Sequence, residues 1–378
     1  MKISKLPCGD IHYFEGDLLK ERPGKLGFCY CHVEAPKDLK HPFLLVHYKN
    51  RTVAGLGKFV GVYYTREIEH ALKLGYKIKI INGFYFSKSE ILFDKYVDSL
   101  YELRTQYSKG DPMNIISKLL LNSLYGRMSL DDRHNDIKVY DFKEFKALLE
   151  NDEYSSKIEH WDEFKEARKM LVETIFDRYT NDFNSNYEDN HMSSIGISAA
   201  VTAEARIFMD QFKNNPELEL YYTDTDSIFT TSSPEDMEKL FPGIISSKGL
   251  GKLKHEYTIV NAIFLSPKCY WLELEDGNKV IRIKGVKREF IEEALNNYSL
   301  TFENFSNLLV KDEIINLNQE KWYRDYVNAG IEISKQAHQV KQTDNKRSLV
   351  YEDDICIDTK PIVFDLDDFK EQSSKKFL

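Results

Sequence analysis

The chain has 378 residues, 42% of them hydrophobic and 13% aromatic, with 61 acidic against 52 basic residues and a formal charge of −9. That length and apolar content bury a substantial core with room for two or three subdomains, which excludes a disordered polypeptide. No apolar run is long enough to span a bilayer, "MKISKLPCGDIHYFEGD" lacks the apolar centre of a secretory signal, and five cysteines without a C-x-x-C pair argue against a disulfide framework and for free thiols in a reducing compartment.

The first sixty residues read as short strands and loops, with extended pieces around "LGFCYCHVEAP" and "HPFLLVHY" broken by Pro and Gly. Cys29 and Cys31 fall in the first piece as strand packing, since no second pair completes a zinc site. A helix is expected from Thr65, whose hydroxyl can cap it, to Gly75, which suits a left-handed stop. "YKIKIINGFYF" is the next strand. Periodicity then predicts a helix near 89–107 with Leu92, Tyr96, Ser99 and Leu100 on one face. Another starts from the cap Asp111 with Pro112 in its first turn and runs to about Gly126. Two short charged helices are expected near 141–151 and 161–173. A long helix over 193–212 carries small residues that permit close approach to a sheet. The last third alternates strands, short helices and polar linkers.

Two stretches bear chemistry. In "LELYYTDTDSIFTT" two strand-forming runs flank a tight turn, which predicts a hairpin with Asp224 and Asp226 near its tip. Two carboxylates so close repel unless a cation lies between them. Magnesium takes carboxylate oxygens, keeps several waters and completes its shell with substrate phosphates, a phosphoryl-transfer geometry. Asp-Thr-Asp is also ordinary turn chemistry, and on this stretch alone that reading wins. In "KLLLNSLYGR", Lys118, Asn122 and Tyr125 share one helix face. A lysine offers a compact cation to a triphosphate, a tyrosine offers a flat surface to a base, and Gly126 allows close approach. An amphipathic helix with Leu119, Leu120 and Leu124 packed inward fits the same pattern, and periodicity does not choose.

The acidic balance does not exclude a nucleic-acid partner, because a local basic stripe sets the field that a phosphate backbone feels. "SKGLGKLKHE" carries Lys248, Lys252 and Lys254, and "KVIRIKGVKR" carries Lys279, Arg282, Lys284, Lys287 and Arg288. Either stretch alone reads as a solvated strand face.

In this order the motifs resemble those of the family B DNA polymerases. "KLLLNSLYG" is similar to the fingers motif K-x-x-x-N-S-x-Y-G, "YTDTDS" to the palm motif Y-x-D-T-D-S, and "SPKCYWL", with Lys268 and Tyr270, to the K-x-Y motif that grips the primer end. "GLGKLKHE" and "KGVKR" resemble segments leading into the thumb. "DNKRSLVYEDDICIDTKP" resembles the closing segment of polymerases encoded by linear plasmids of organelles. Within the family, "LPCGDIHYFEGD" and "AGLGKFVGVYYTREIEHALKLGY" look like the first insertion of the protein-primed branch, and 128–190 lies where its second insertion lies.

The resemblance implies an α+β right-hand fragment: palm remnant and first insertion over 1–88, fingers over 89–127, second insertion over 128–190, palm with the catalytic hairpin over 191–275, thumb and closing segment over 276–378. It implies a DNA-directed DNA polymerase acting on primer–template DNA and dNTPs, with a terminal protein as primer and no membrane partner. By that likeness Asp226 is the metal ligand with Asp224 beside it, and Thr225 shapes the turn. Lys118 holds the triphosphate, Asn122, Tyr125 and Gly126 line the nucleotide pocket, and Arg104 is a second triphosphate contact or a surface arginine. Lys268 and Tyr270 position the primer, and Lys252, Lys254, Lys284 and Lys287 contact DNA. Magnesium, with manganese as substitute, is the expected cofactor.

The sequence departs from the family in one respect. A two-metal site needs a carboxylate that the family supplies from D-x-x-S-L-Y-P, and "DSLY" at Asp98–Tyr101 lacks its spacing and its proline. The chain therefore resembles the C-terminal part of such a polymerase, without its exonuclease domain. It is expected to act with upstream residues, with a separate N-terminal piece, or with Asp10 or Glu34 as replacement carboxylate. The alternatives are a decayed chain with no activity and a module that survives to bind DNA or terminal protein. A palm sheet short of a strand is expected to leave an open edge. Abundant Lys, Asn, Ile, Tyr and Phe, as in AT-rich coding, suggest a mitochondrial element, with a cytoplasmic linear plasmid as the alternative.

Overall fold

The computed structural model describes residues 2–130, 133–165, 168–177, 193–328 and 330–369. The chain is mixed α+β and divides into two units, one of Met1–Ile3, Ile91–Ala199 and Glu320–Gln336, the other of Ser4–Glu90, Ala200–Gln319 and Ala337–Leu378.

In the larger unit the principal sheet runs Leu6–Glu15, Lys77–Glu90, Gly27–Glu34, Arg51–Tyr64 and Ile362–Phe364, with Leu45–Tyr48 also on Arg51–Tyr64. All neighbours are antiparallel except Ile362–Phe364, which pairs parallel to Gly55–Gly57. Alternation along Gly27–Glu34 sends Cys29, Cys31 and Val33 into the core. Burial pushes the Cys29 thiol up to about 12 and raises that of Cys31 as well, so both are packing groups and not reactive ones.

The helix Thr65–Lys73 buries Ile68 and Ala71 against this core and ends before Gly75, whose φ of +88° makes the left-handed stop. Thr65 does not cap it. Tyr64 holds the cap position without a side-chain bond, and the buried Thr65 hydroxyl instead accepts the Gly27 N–H at 3.3 Å, tying the helix start to the sheet. On its outer side the helix meets residues of Ile195–Lys213 through ion pairs: Glu67 with Arg206 at 2.8 Å, Arg66 with Glu204 at 2.7 Å and His70 with Asp210 at 2.7 Å.

A second core of the larger unit lies between the three strands Ile259–Ser266, Cys269–Leu274 and Lys279–Ile283 and the helices Arg288–Asn296 and Phe302–Asn307. Trp271 fills it, edge-on to Phe302 and tilted on Phe305. The hairpin Leu220–Asp224 and Ser227–Thr230 pairs with no third strand among the described residues, which leaves an open edge.

The smaller unit holds the helices Asp94–Gln106 and Pro112–Met128. The second is capped as its sequence predicts, Asp111 accepting the Met113 N–H at 2.8 Å with Pro112 in the first turn. The first starts later than expected, because Ser89 and Glu90 finish the preceding strand. Its buried position is Val97, not the predicted face of Leu92, Tyr96, Ser99 and Leu100. Asn114 joins the two helices, its amide donating to the carbonyls of Arg104 at 2.9 Å and Tyr107 at 3.1 Å.

Beyond them the helix Phe142–Leu149 forms with a full capping box, Asp141 to Glu144. The helix expected over 161–173 is instead the strands Ile158–Phe164 and Lys169–Asp177, which with Arg133–Asp141 make a three-stranded sheet. Met170, Val172 and Thr174 alternate into its buried side, a period of two that neighbouring charges conceal. Residues 178–190 of the expected second insertion lie outside the described residues.

Candidate functional site

The hairpin register pairs Ser227 with Asp224 and Phe229 with Tyr222, leaving Thr225 and Asp226 as a two-residue turn. Thr225 has φ +53°, a region that a β-branched residue rarely adopts. The Asp226 N–H donates to the Asp224 carbonyl at 2.7 Å and the Ser227 hydroxyl to the same oxygen at 3.0 Å, which holds the turn closed.

Under the turn lies an aromatic layer. Tyr222 stacks on Phe264 at 5.1 Å and 12°, and Phe229 and Tyr270 complete the cluster. Those contacts dock the hairpin on the strands Ile259–Ser266 and Cys269–Leu274, whose own turn is Pro267–Lys268. Lys268 has φ +61°, a second non-glycine residue in left-handed backbone. Strained residues persist only where surroundings over-determine them, and here they do. The Lys268 N–H donates to the Tyr222 hydroxyl at 2.7 Å, and its ammonium donates to both carboxylate oxygens of Asp224, at 2.6 and 2.8 Å. The hydrogen bond to Asp224 holds the Lys268 ammonium above the usual lysine value, while burial raises the phenols of Tyr222 and Tyr270.

Beside this contact opens a groove of about 490 Å³, lined by Asp224, Lys268, Tyr270, Arg282, Lys284 and Arg288 over isoleucine side chains. Its bend, the "KGV" turn, is fixed from behind. Buried Gln319 donates to the Gly285 carbonyl at 2.9 Å, and His338 packs so closely that a Cβ on Gly285 would stand 2.8 Å from its ring. Four cations, one carboxylate and an aromatic face suit a nucleic-acid strand: charge for phosphates, a ring for a base or sugar.

Among the residues singled out by sequence, Asp224, Lys268, Tyr270 and Lys284 meet in this groove, with Asp226 at the adjoining turn. Lys287 lies over the Phe290 ring at 5.8 Å and does not line the groove. Lys252 and Lys254 do not line it either, and "SKGLGKLKHE" is loop, not the strand face expected of it. "KVIRIKGVKR" is a strand, Lys279–Ile283, followed by a turn into a helix. Arg282 and Arg288 line the groove although no site role was read for them. Tyr222 was overlooked as well, and the signal for it was present as the first letter of the palm motif.

In the smaller unit, Lys118, Asn122 and Tyr125 are exposed on Pro112–Met128. Leu119 is 65% and Leu120 41% exposed, so the inward-packed alternative does not describe this helix, whose one buried residue is Ser117. Around Gly126 a Cβ would meet nothing within 4 Å. Arg104 is half-exposed in the last turn of Asp94–Gln106. Asp98 is helical and paired with Lys2 at 2.5 Å, unlike a catalytic strand aspartate.

For a divalent cation the donor set is one-sided. Among the described residues no three or more of His, Cys, Asp and Glu gather where they could hold a metal, so neither Asp10 nor Glu34 completes a site with Asp224 and Asp226. Both Asp224 oxygens are on Lys268, whereas Asp226 is exposed. The described residues fit one edge of a magnesium site and not a two-metal cage.

Residues 1–218, which include the Lys118–Arg127 stretch, match the family of DNA polymerase type B, organellar and viral. The chain belongs to this family. It is 31% identical over 339 residues to a protein of Neurospora intermedia named "Probable DNA polymerase", covering 86% of this chain and 32% of that protein. It is 32% identical over 371 residues to one of the same name from Ascobolus immersus, covering 96% of this chain and 28% of that protein. The chain thus spans about a third of the length of these relatives. Its fold is similar to that of Phi29 DNA polymerase complexed with primer-template DNA and incoming nucleotide substrates, with a TM-score of 0.63, 19% identity, and coverage of 89% of this chain and 55% of that one. The α+β architecture is that of a right-hand polymerase, as the motifs imply. No helix among the described residues is long and apolar enough to cross a membrane.

Proposed function

We propose that this chain carries the nucleotide-binding helix, the catalytic hairpin and the primer-holding turn of a DNA-directed DNA polymerase. In this reading it serves protein-primed replication of a linear plasmid or similar organellar element. What supports it above all is the convergence of Asp224, Lys268 and Tyr270 on a basic groove at the tip of an aspartate hairpin, in a chain of the type B family.

The roles follow from the chemistry. Arg282, Lys284 and Arg288 neutralise the primer backbone, with Lys252, Lys254 and Lys287 as outlying DNA contacts. Tyr270 offers its ring and Lys268 its ammonium to the primer end. Lys118 takes the triphosphate, with Arg104 as second cation, and Asn122, Tyr125 and Gly126 form the nucleotide's wall. The chemical end is Asp226 with Asp224. Asp226 would give one carboxylate to magnesium, or manganese in its place, which when bound supplies charge neutralisation to a phosphoryl group in a two-metal mechanism. In this reading the further carboxylate comes from residues other than those named here.

Within this reading, 1–88 form palm and the terminal-protein contact, 89–127 fingers, 128–190 the processivity insertion, 191–275 palm and 276–378 thumb with the closing segment. The organellar side of a family described as organellar and viral, with residue usage that suits AT-rich coding, supports a mitochondrial element over a cytoplasmic plasmid. A nuclear chromosomal gene with a cytosolic product would overturn that placement.

The test is primer extension on a primed single strand, with magnesium and then manganese, against Asp226→Ala. Extension lost on substitution supports the polymerase reading for this chain. No extension by a folded chain that still binds the primed DNA favours the second reading, a binding module.

A further inference from the structure

Lys268 is held at three points. Its backbone sits at φ +61° with the N–H on the Tyr222 hydroxyl, and its ammonium is shared between both oxygens of Asp224. The carboxylate that the motif presents at the chemical end thus already has a resident cation. The pair also lines the groove that Arg282, Lys284 and Arg288 make positive. Lys268 retains 60% of its side-chain exposure and Asp224 30%, so the pair stands at the mouth, within reach of an entering strand.

We propose that Lys268 exchanges partners, leaving Asp224 for a phosphate of the primer strand as that strand enters the groove. The inference rests on the nucleic-acid reading of the groove and adds to it a masked cation. Three physical facts favour exchange over a permanent ion pair. An ion pair this exposed contributes little stability, so a phosphate competes with it on nearly equal terms. The lysine backbone is fixed by Tyr222, so its ammonium swings on a fixed pivot and needs no movement of the turn. The other groove cations line the same groove, Arg282 paired across from Tyr270, so a strand bound to them comes to the lysine already charge-anchored.

One consequence is a coupling. Phosphate arrival releases the Asp224 carboxylate beside Asp226, and two adjacent bare carboxylates then attract a cation that one alone holds weakly. Primer and divalent cation are expected to favour each other's binding, by the same factor in each direction. Asp224 is in this account a positioning residue for Lys268 before the strand arrives.

The test measures affinity for a fluorescent primed template by anisotropy, without divalent cation, over a series of KCl concentrations. It compares wild type, Asp224→Asn, Lys268→Ala and the double variant, each checked for folding by circular dichroism. Unmasking predicts that Asp224→Asn binds about 3–10-fold tighter, with a log–log salt slope steeper by about one counterion. Lys268→Ala, which loses the phosphate contact together with the mask, should bind no tighter than wild type, and the double variant should bind like Lys268→Ala. An Asp224→Asn affinity equal to or weaker than wild type overturns the proposal. So does a gain that survives in the double variant, since it would reflect lost negative charge alone. Absence of primed-template binding by every variant at low salt overturns the nucleic-acid reading itself, which separates the two failures.

Discussion

His41 is a half-buried imidazole whose charged form the folded larger unit disfavours. Burial first, and then the cations Arg347, Lys40 and Lys213, bring its pKa down from 6.5 to about 4. Between those values the unfolded chain takes a proton that the folded chain refuses, so its contribution is intact above pH 6.5 and shrinks as pH falls toward 4. After discounting for its partial exposure, the loss is about 1 kcal/mol, or roughly 2–4 °C in Tm. A melt series from pH 7 to pH 4.5 should show that fall, and His41→Gln should flatten it. An unchanged slope in the variant would assign the acid lability elsewhere. At this scale sequence reading reached the turn aspartates because motif and turn chemistry lie within six consecutive residues. It did not reach the grip of Lys268 on Asp224, 44 residues apart, because that contact exists only once two hairpins are stacked through Tyr222 and Phe264.

Between elements, the Thr65–Lys73 helix is held by charge as much as by apolar burial. The Glu67 carboxyl is nearly inaccessible and its pKa is raised by burial, with Arg206 opposing the shift through a two-point contact. Removing only the arginine strands a buried acid. Arg206→Leu is expected to cost about 3 kcal/mol by urea unfolding, whereas Glu67→Leu with Arg206→Leu should recover most of that loss. A single variant as stable as wild type would show that Glu67 ionisation is not carried by Arg206. These ion pairs were invisible in sequence, since no periodicity links a helix to one that starts 130 residues later. Capping was legible where it is local, at Asp111, and misread at Thr65, whose hydroxyl the fold spends on a strand. The helix expected over 161–173 failed for a related reason: charges at 162–168 hide the alternation of Met170, Val172 and Thr174.

At the scale of the molecule, the end of the chain completes the sheet that its first sixty residues begin. Ile362–Phe364 pairs parallel to Gly55–Gly57, and Phe364 and Phe369 enter the first core beside Tyr48. Lys346 donates to the Thr52 carbonyl and Arg347 to that of Lys40 at 3.1 Å, so the closing segment is stitched down before the strand arrives. Two glycines make the approach possible. A Cβ on Gly55 would stand 2.3 Å from the Phe364 ring, and one on Gly57, at φ +83°, would stand 2.1 Å from the Phe364 carbonyl. At Gly57 the clash is with backbone and adds a left-handed φ, whereas at Gly55 it is first with a side-chain ring, so substitution at Gly57 should be the more disruptive. Phe364→Ala is expected to cost about 3–5 kcal/mol as a core deletion. Gly57→Ala should mimic removal of everything after Lys360, because it expels the strand whole. Both should then show the same new tryptic cuts around Lys346 and Arg347, while Gly55→Ala keeps that segment protected. Protection of the segment in Gly57→Ala would mean that the parallel pairing does not hold it. Because the pairing joins Gly55–Gly57 to Ile362–Phe364, this sheet cannot be finished until Phe364 has been synthesised. Nascent chains that stop before Ile362 should therefore stay protease-sensitive around Arg51–Tyr64.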